Sequence, residues 1–108
     1  EQAHLIIGFE GVSFGHPEEF SARLLAIILG GNMSSRMFLN IREQKGLCYS
    51  ISTSTDQYSD VGVLSTHCGV DLQRTEEAIS AVTNEYYILA ENGVSEEEVA
   101  KAKSFLKG

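Results

Sequence analysis

The chain has 108 residues, 8 Lys plus Arg against 15 Asp plus Glu, and 43% hydrophobic content, which together describe one globular domain. A domain of this size buries roughly 65% of the surface its unfolded chain exposes, enough for one core and no second domain. The formal charge of −7 argues against nucleic acid or an anionic membrane as partner, because both need clustered Lys and Arg. The longest apolar run, Leu24 to Leu29, is far short of the ~20 residues of a membrane-spanning helix. The first residue is Glu rather than Met and no signal pattern follows it, so an internal piece of a longer protein is expected.

His4 to Glu10 is rich in strand formers and is followed by turn residues from Gly11 to Gly15, which predicts a strand and then a loop. Pro17 suits a first helical turn, and Phe20, Leu24, Ile27 and Ile28 recur at helical spacing before Gly30-Gly31. Asn32 to Ser35 supply capping residues, after which Met37, Phe38 and Ile41 share the face of a short second helix that ends at Gly46. Leu47–Thr55 and Val61–Cys68 alternate as strands around the polar connection Asp56 to Asp60, which predicts an antiparallel hairpin. Asp71 caps the longest helix, with Leu72, Ile79, Val82, Tyr86 and Leu89 on one stripe and Asn92-Gly93 as its stop. Ser95 and Glu98 form a capping box for a last helix carrying Val99, Ala102 and Leu106. The order strand, helix, helix, strand, strand, helix, helix is an α+β pattern: a small, mainly antiparallel sheet with helices on one face. The run Glu96-Glu97-Glu98 suits the positive end of that last helix.

Few residues carry chemistry of their own. His4, His16 and His67 are isolated, no His-x-x-Glu-His occurs, and no metal site is expected in this chain. Neither a phosphate-binding glycine loop nor a Gly-x-Ser-x-Gly elbow is present. Two cysteines are too few for a secreted disulfide scaffold, so a reducing compartment is the expectation. With the hairpin turn centred near Tyr58, Cys48 stands opposite Cys68 and Tyr49 opposite His67. Such a pair is near enough for a disulfide, whereas two buried thiols serving as small hydrophobes need no bridge, and the sequence leaves both open.

The run Gly30-Gly31-Asn32-Met33-Ser34-Ser35-Arg36, followed by Arg42-Glu43-Gln44-Lys45-Gly46-Leu47-Cys48-Tyr49, resembles the zinc-free half of the pitrilysin family of zinc metallopeptidases, which includes mitochondrial and bacterial processing proteases. Residues 4–9, Gly93 to Val99 and the Ala-Lys-x-x-Leu-Lys-Gly ending resemble the same domain in order, so the likeness spans nearly the whole chain. Cys48 departs from it by standing where alanine is usual. The resemblance implies that residues 1–108 are the front half of the zinc-free C-terminal domain, with an exposed sheet edge where later strands are missing. Zinc would be bound by the N-terminal half or by a catalytic subunit, the parent could be a dimer, and this piece alone would be inactive.

The resemblance also assigns Arg42 and Tyr49 to substrate contact, where a guanidinium and a phenol donate hydrogen bonds to carbonyl oxygens. It implies a lesser role along the substrate path for Gly31, Asn32, Met33 and Ser34, which caps and a tight turn also explain. Likeness to bacterial members, with the cysteine usage, makes the cytoplasm the expected location. Two other readings stand beside the peptidase: a non-catalytic scaffold or recognition subunit of the same family, and a small-molecule regulatory domain for which no residue names a ligand.

Overall fold

The computed structural model describes residues 2–10, 19–57 and 62–107. The elements run β1 (Gln2–Glu10), α1 (Glu19–Gly30), a π-helix (Phe38–Gln44), β2 (Cys48–Gln57), β3 (Gly62–Asp71), a 3-10 turn (Leu72–Arg74), α2 (Thr75–Asn92) and α3 (Glu96–Lys107). The expected element order is therefore present, with two additions: π winding in the second helix and a 3-10 entry to α2. The predicted loop Gly11 to Gly15, Pro17, and the hairpin tip from Tyr58 onward lie outside the described residues, as does His16.

The three strands form an antiparallel sheet in the order β1-β3-β2. The row Leu5, Cys68 and Ile51 crosses it on the core side, beside Val70 and Cys48. Against this face pack Leu29 of α1, Met37 and Ile41 of the second helix, and Ala78 and Val82 of α2. The opposite face shows Ile6, His67 and Ser52 to solvent, as expected for helices on one side only.

Polar groups inside the core are paired. The Thr53 and Thr66 hydroxyls lie 2.8 Å apart, and Thr66 Oγ1 lies 2.8 Å from the Tyr86 hydroxyl. That chain satisfies hydroxyls whose burial without a partner costs ~1–3 kcal/mol each.

The α2 stripe matches expectation in part. Val82 is buried and Tyr86 and Leu89 pack against the core, whereas Leu72 and Ile79 are exposed and Ala78, Ala81 and Glu85 are buried beside Val82. Small Ala side chains let the helix axis come close to the sheet, and that approach outweighs the larger apolar residues as the buried edge. Gly93, at φ +72°, stops the helix as predicted and its N–H donates to the Leu89 carbonyl at 2.9 Å. The Ser95–Glu98 capping box is reciprocal: Glu98 N donates to Ser95 Oγ at 3.1 Å and Ser95 N to Glu98 Oε1 at 3.0 Å.

The hairpin register also differs. Cys68 faces Ile51 and His67 faces Ser52, so Cys48 does not oppose Cys68 and Tyr49 does not oppose His67. Asp56 and Gln57, expected in the connection, are still paired with β3, which moves the turn toward the C-terminus. Both cysteines are free and buried, and burial pushes both thiols up, Cys48 to about 11, which keeps them protonated and unreactive at neutral pH. Among the described residues no helix is long and apolar enough to cross a membrane.

Candidate functional site

The segment from Gly30 to Tyr49 carries the six residues for which the resemblance implies a substrate role, Arg42, Tyr49 and Gly31 to Ser34. It begins where α1 meets β2: a Cβ on Gly30 would stand 2.4 Å from Thr53 Oγ1 and 3.0 Å from Thr53 N, so only glycine allows this close approach. A Cβ on Gly31 would stand 2.6 Å from Ile27 Cα, for the same effect one residue on. Asn32 then organises the turn. Its Oδ1 accepts from Ser34 N at 2.9 Å, and its carbonyl accepts from Ser35 N at 3.1 Å and from Ser35 Oγ at 2.7 Å. Met33 projects into solvent with 73% of its surface exposed. Asn32 and Ser34 line a cleft with Ile27, Glu98, Lys101 and Phe105, on the α1–α3 side of the molecule.

Arg36 closes that end. Its Nε and Nη2 donate to the two carboxylate oxygens of Glu98 at 2.7 and 2.8 Å, and Nη2 also reaches the Gly93 carbonyl at 3.0 Å. The Arg36 hydrogen bonds hold the Glu98 carboxyl down at about 2, with the Ser95 contacts assisting against a smaller opposing effect of burial. This bidentate pair fastens the turn to the α2–α3 junction and explains Arg36 without chemistry, as the caps do for Ser34 and Ser35.

Met37 and Ile41, both fully buried, pin one face of the following helix to the core. That leaves Phe38 and Arg42 at the margin, with the Arg42 Cζ 4.7 Å from the Phe38 ring centroid. The helix is wound with π geometry to Gln44 and ends at Gly46, φ +60°, with Leu47 N donating to the Ile41 carbonyl at 3.0 Å. That closing bond spans one residue more than the usual 6→1 bond at a helix end, in keeping with the wider winding.

The chain then enters β2 through a bulge. Cys48 pairs with Val70 and Ser50 with Gly69, so Tyr49 is the extra residue with no partner across the ladder. A bulge re-aims its side chain, and Tyr49 is 53% exposed.

The structure brings Arg42 and Tyr49 together across the short Gly46 turn, and does so through the backbone. Arg42 Nε donates to the Tyr49 carbonyl at 3.0 Å, and Nη1 donates to Glu43 Oε2 at 2.9 Å. These bonds use two of the five donors of a guanidinium that is about a third exposed. A solvent-facing phenol and a guanidinium fixed at its root can both donate to carbonyl oxygens of an extended peptide. Gly31 to Ser34 are not part of this pair, because they sit at the far end of the segment.

Three contacts here escaped the sequence: Phe38 under Arg42, Asn40 Nδ2 donating to the buried Glu85 carboxylate at 3.1 Å, and Arg74 Nη1 donating to the Gly46 carbonyl at 3.2 Å. Each joins residues whose pairing no local motif announces, apart from the helical i,i+4 spacing of Phe38 and Arg42. Zinc has no ligand set here, since among the described residues no group of three or more His, Cys, Asp or Glu could hold a metal ion.

Residues 1–106 of the 108 match the family described as the peptidase M16 inactive domain. It is 34% identical over 108 residues to the uncharacterized zinc protease YmxG of Bacillus subtilis, covering 100% of this chain and 26% of that protein. An uncharacterized zinc protease of Rickettsia felis is 39% identical over 108 residues, with 99% of this chain and 26% of that protein covered. The chain thus spans about a quarter of the length of the curated relatives it matches. The crystal structure of a peptidase M16 inactive domain from Pseudomonas fluorescens shares the fold at a TM-score of 0.92 and 23% identity, over 99% of this chain and 26% of that one. A protease from Helicobacter pylori shares it at 0.88 and 19%, over 98% and 26%. With all but its last two residues matched by the family and its fold reproduced, the chain belongs to the family of peptidase M16 inactive domains, the zinc-free domain of the pitrilysin-type peptidases.

Proposed function

We propose that this chain is the front half of the zinc-free C-terminal domain of a zinc metalloendopeptidase. In that role it closes a chamber over a peptide substrate together with a zinc-binding N-terminal half or a separate catalytic subunit, and the parent assembles as one such pair or as a dimer of them. Arg42 and Tyr49 contact the substrate, and Gly31, Asn32, Met33 and Ser34 line the path into the chamber. The isolated chain does not cleave peptides. The free, buried thiols fit a cytoplasmic setting.

One observation carries the substrate-contact role: Arg42 Nε is locked onto the Tyr49 carbonyl at 3.0 Å while the Tyr49 side chain, set in a bulge, faces solvent. Two donors of different reach are thereby presented on one rigid corner. As water adds to a peptide carbonyl, negative charge develops on its oxygen, and donors already in place stabilise that charge without reorganising. Neither side chain has to change protonation for this. The relatives named as zinc proteases support the reaction class.

The test is Arg42→Ala in the full-length protein, where turnover of a peptide substrate falls by roughly 10²-fold if the guanidinium meets the developing charge. Unchanged turnover removes the role. Metal content of the same preparation separates the peptidase from a scaffold subunit, which purifies without stoichiometric zinc.

A further inference from the structure

The corner between the π-helix and β2 is also braced from outside. Arg74 ends the 3-10 turn that follows β3, a turn started by Asp71, whose Oδ1 accepts from Gln73 N at 3.0 Å. From there its guanidinium points back across the fold. Nη1 donates to the Gly46 carbonyl at 3.2 Å, while Nε and Nη2 donate to the two oxygens of Glu77 at 3.2 and 3.4 Å. Gly46 is the left-handed residue on which the chain reverses between Arg42 and Tyr49. The same helix that holds Glu77 also holds Glu85, which takes the Asn40 amide at 3.1 Å, so α2 grips the Arg42 helix near its middle and at its end. Glu77 foremost, then Asp71 and Tyr49, favour the charged form of Arg74.

We infer that Arg74 is a positioning residue for the Arg42–Tyr49 pair, holding the Gly46 carbonyl against the start of α2 and so fixing the corner across which Arg42 Nε reaches the Tyr49 carbonyl. The link to catalysis rests on the proposed substrate contact of Arg42. The bracing of the corner does not. Without Arg74 the turn keeps its own closing bond from Leu47 N to the Ile41 carbonyl but loses the tie that sets its place relative to α2. A displacement of about 1 Å at such a point can cost up to 10²-fold in rate.

The experiment compares the full-length protein with its Arg42→Ala, Arg74→Ala, double and Arg74→Lys variants. Steady-state kinetics on a peptide substrate is run alongside amide hydrogen exchange across residues 42–50. Arg74→Ala is expected to lower kcat about tenfold with KM little changed. It adds no loss once Arg42 is alanine, because it acts through that residue. Arg74→Lys, which keeps a donor for the Gly46 carbonyl, recovers most of the rate. A purely structural role would lower activity equally in both backgrounds, and losses that multiply in the double variant overturn the inference.

Hydrogen exchange separates the two layers. The Leu47 amide is expected to exchange at least about tenfold faster in Arg74→Ala through local opening. If Arg42→Ala has normal turnover while that exchange is accelerated, the substrate-contact role fails and the bracing stands. Unaltered exchange overturns the bracing whatever the kinetics. Arg74→Met, which keeps the length of the side chain without a donor, carries the same expectations should the alanine variant not fold.

Discussion

Arg36 and Arg42 stand on one helical segment, and their guanidiniums have opposite surroundings. Arg36 is mostly covered, spends its fork on both oxygens of Glu98, and ties a turn to a distant helix junction. Arg42 lies on the ring of Phe38, is anchored by Nε to a backbone carbonyl, and is twice as exposed. Residue type and helix position alone would give both the same role. What separates them is how the fork meets a carboxylate: Glu98 takes two donors of Arg36, whereas Glu43 takes one of Arg42, and a bidentate pair leaves little to offer a ligand.

Four substitutions sharpen or break that contrast. Arg42→Ala has the largest expected effect, the roughly 10²-fold loss of turnover already stated, and should move the urea midpoint little, within about 0.5 kcal/mol. A large loss of stability would make Arg42 a second Arg36. Gly30→Ala, which drives a methyl against the Thr53 backbone, should cost about 1–3 kcal/mol in the same unfolding experiment. Arg36→Ala should cost about 1–2 kcal/mol, from a charge-assisted pair discounted for its partial exposure. Its effect on peptide turnover measured well below the unfolding transition should be small. Gly46→Ala meets no steric obstacle and should cost only about 1–2 kcal/mol, from the left-handed backbone.

Acid sharpens the contrast further. Glu98 is held at about 2 in the folded chain against an ordinary 4.5, so its pair stabilises fully above pH 4.5 and that contribution is lost as pH falls toward 2. Removing Arg36 should flatten the acid limb of the stability profile between those values. An acid limb unchanged in Arg36→Ala would place the relevant carboxylate elsewhere.

Much of the fold was legible because its signals are local. Ser95 with Glu98, and Gly46 and Gly93, mark their helix ends by residue type and act there as expected, whereas Asp71 caps the 3-10 turn Leu72–Arg74 and α2 itself starts at Thr75 without a side-chain cap. The closeness of Arg42 and Tyr49 was legible too, since only a short turn separates them. The hairpin register was not, because polarity drew the connection at Asp56 when the strands still pair at Gln57, and because one bulge shifts everything beyond it. The buried edge of α2 was missed where small residues outweighed large ones at Ala78 and Ala81. Arg74 and Asn40 were invisible, because hydrogen bonds from side chains to distant groups follow from the packing and leave no periodic trace in the sequence. Glu98 was seen by half: the cap was read, and its second duty to Arg36 was not.

The strand order has a consequence for how the chain comes into being. β2 and β3 are neighbours in sequence and can zip together as a local hairpin, whereas among the described residues β1 pairs with β3, Gln2 lying opposite Asp71. During synthesis β1 emerges first and must wait for a partner that begins at Gly62, a delay of roughly 3–12 s at usual elongation rates. Through that interval Leu5, Ile6, Ile7 and Phe9 lack the strand they pair with in this sheet, and loop closure over such a distance is slow in any case. Of the three strands β1 therefore stays longest without the partner it has in this sheet, and it is the one most open to mispairing when synthesis outpaces folding.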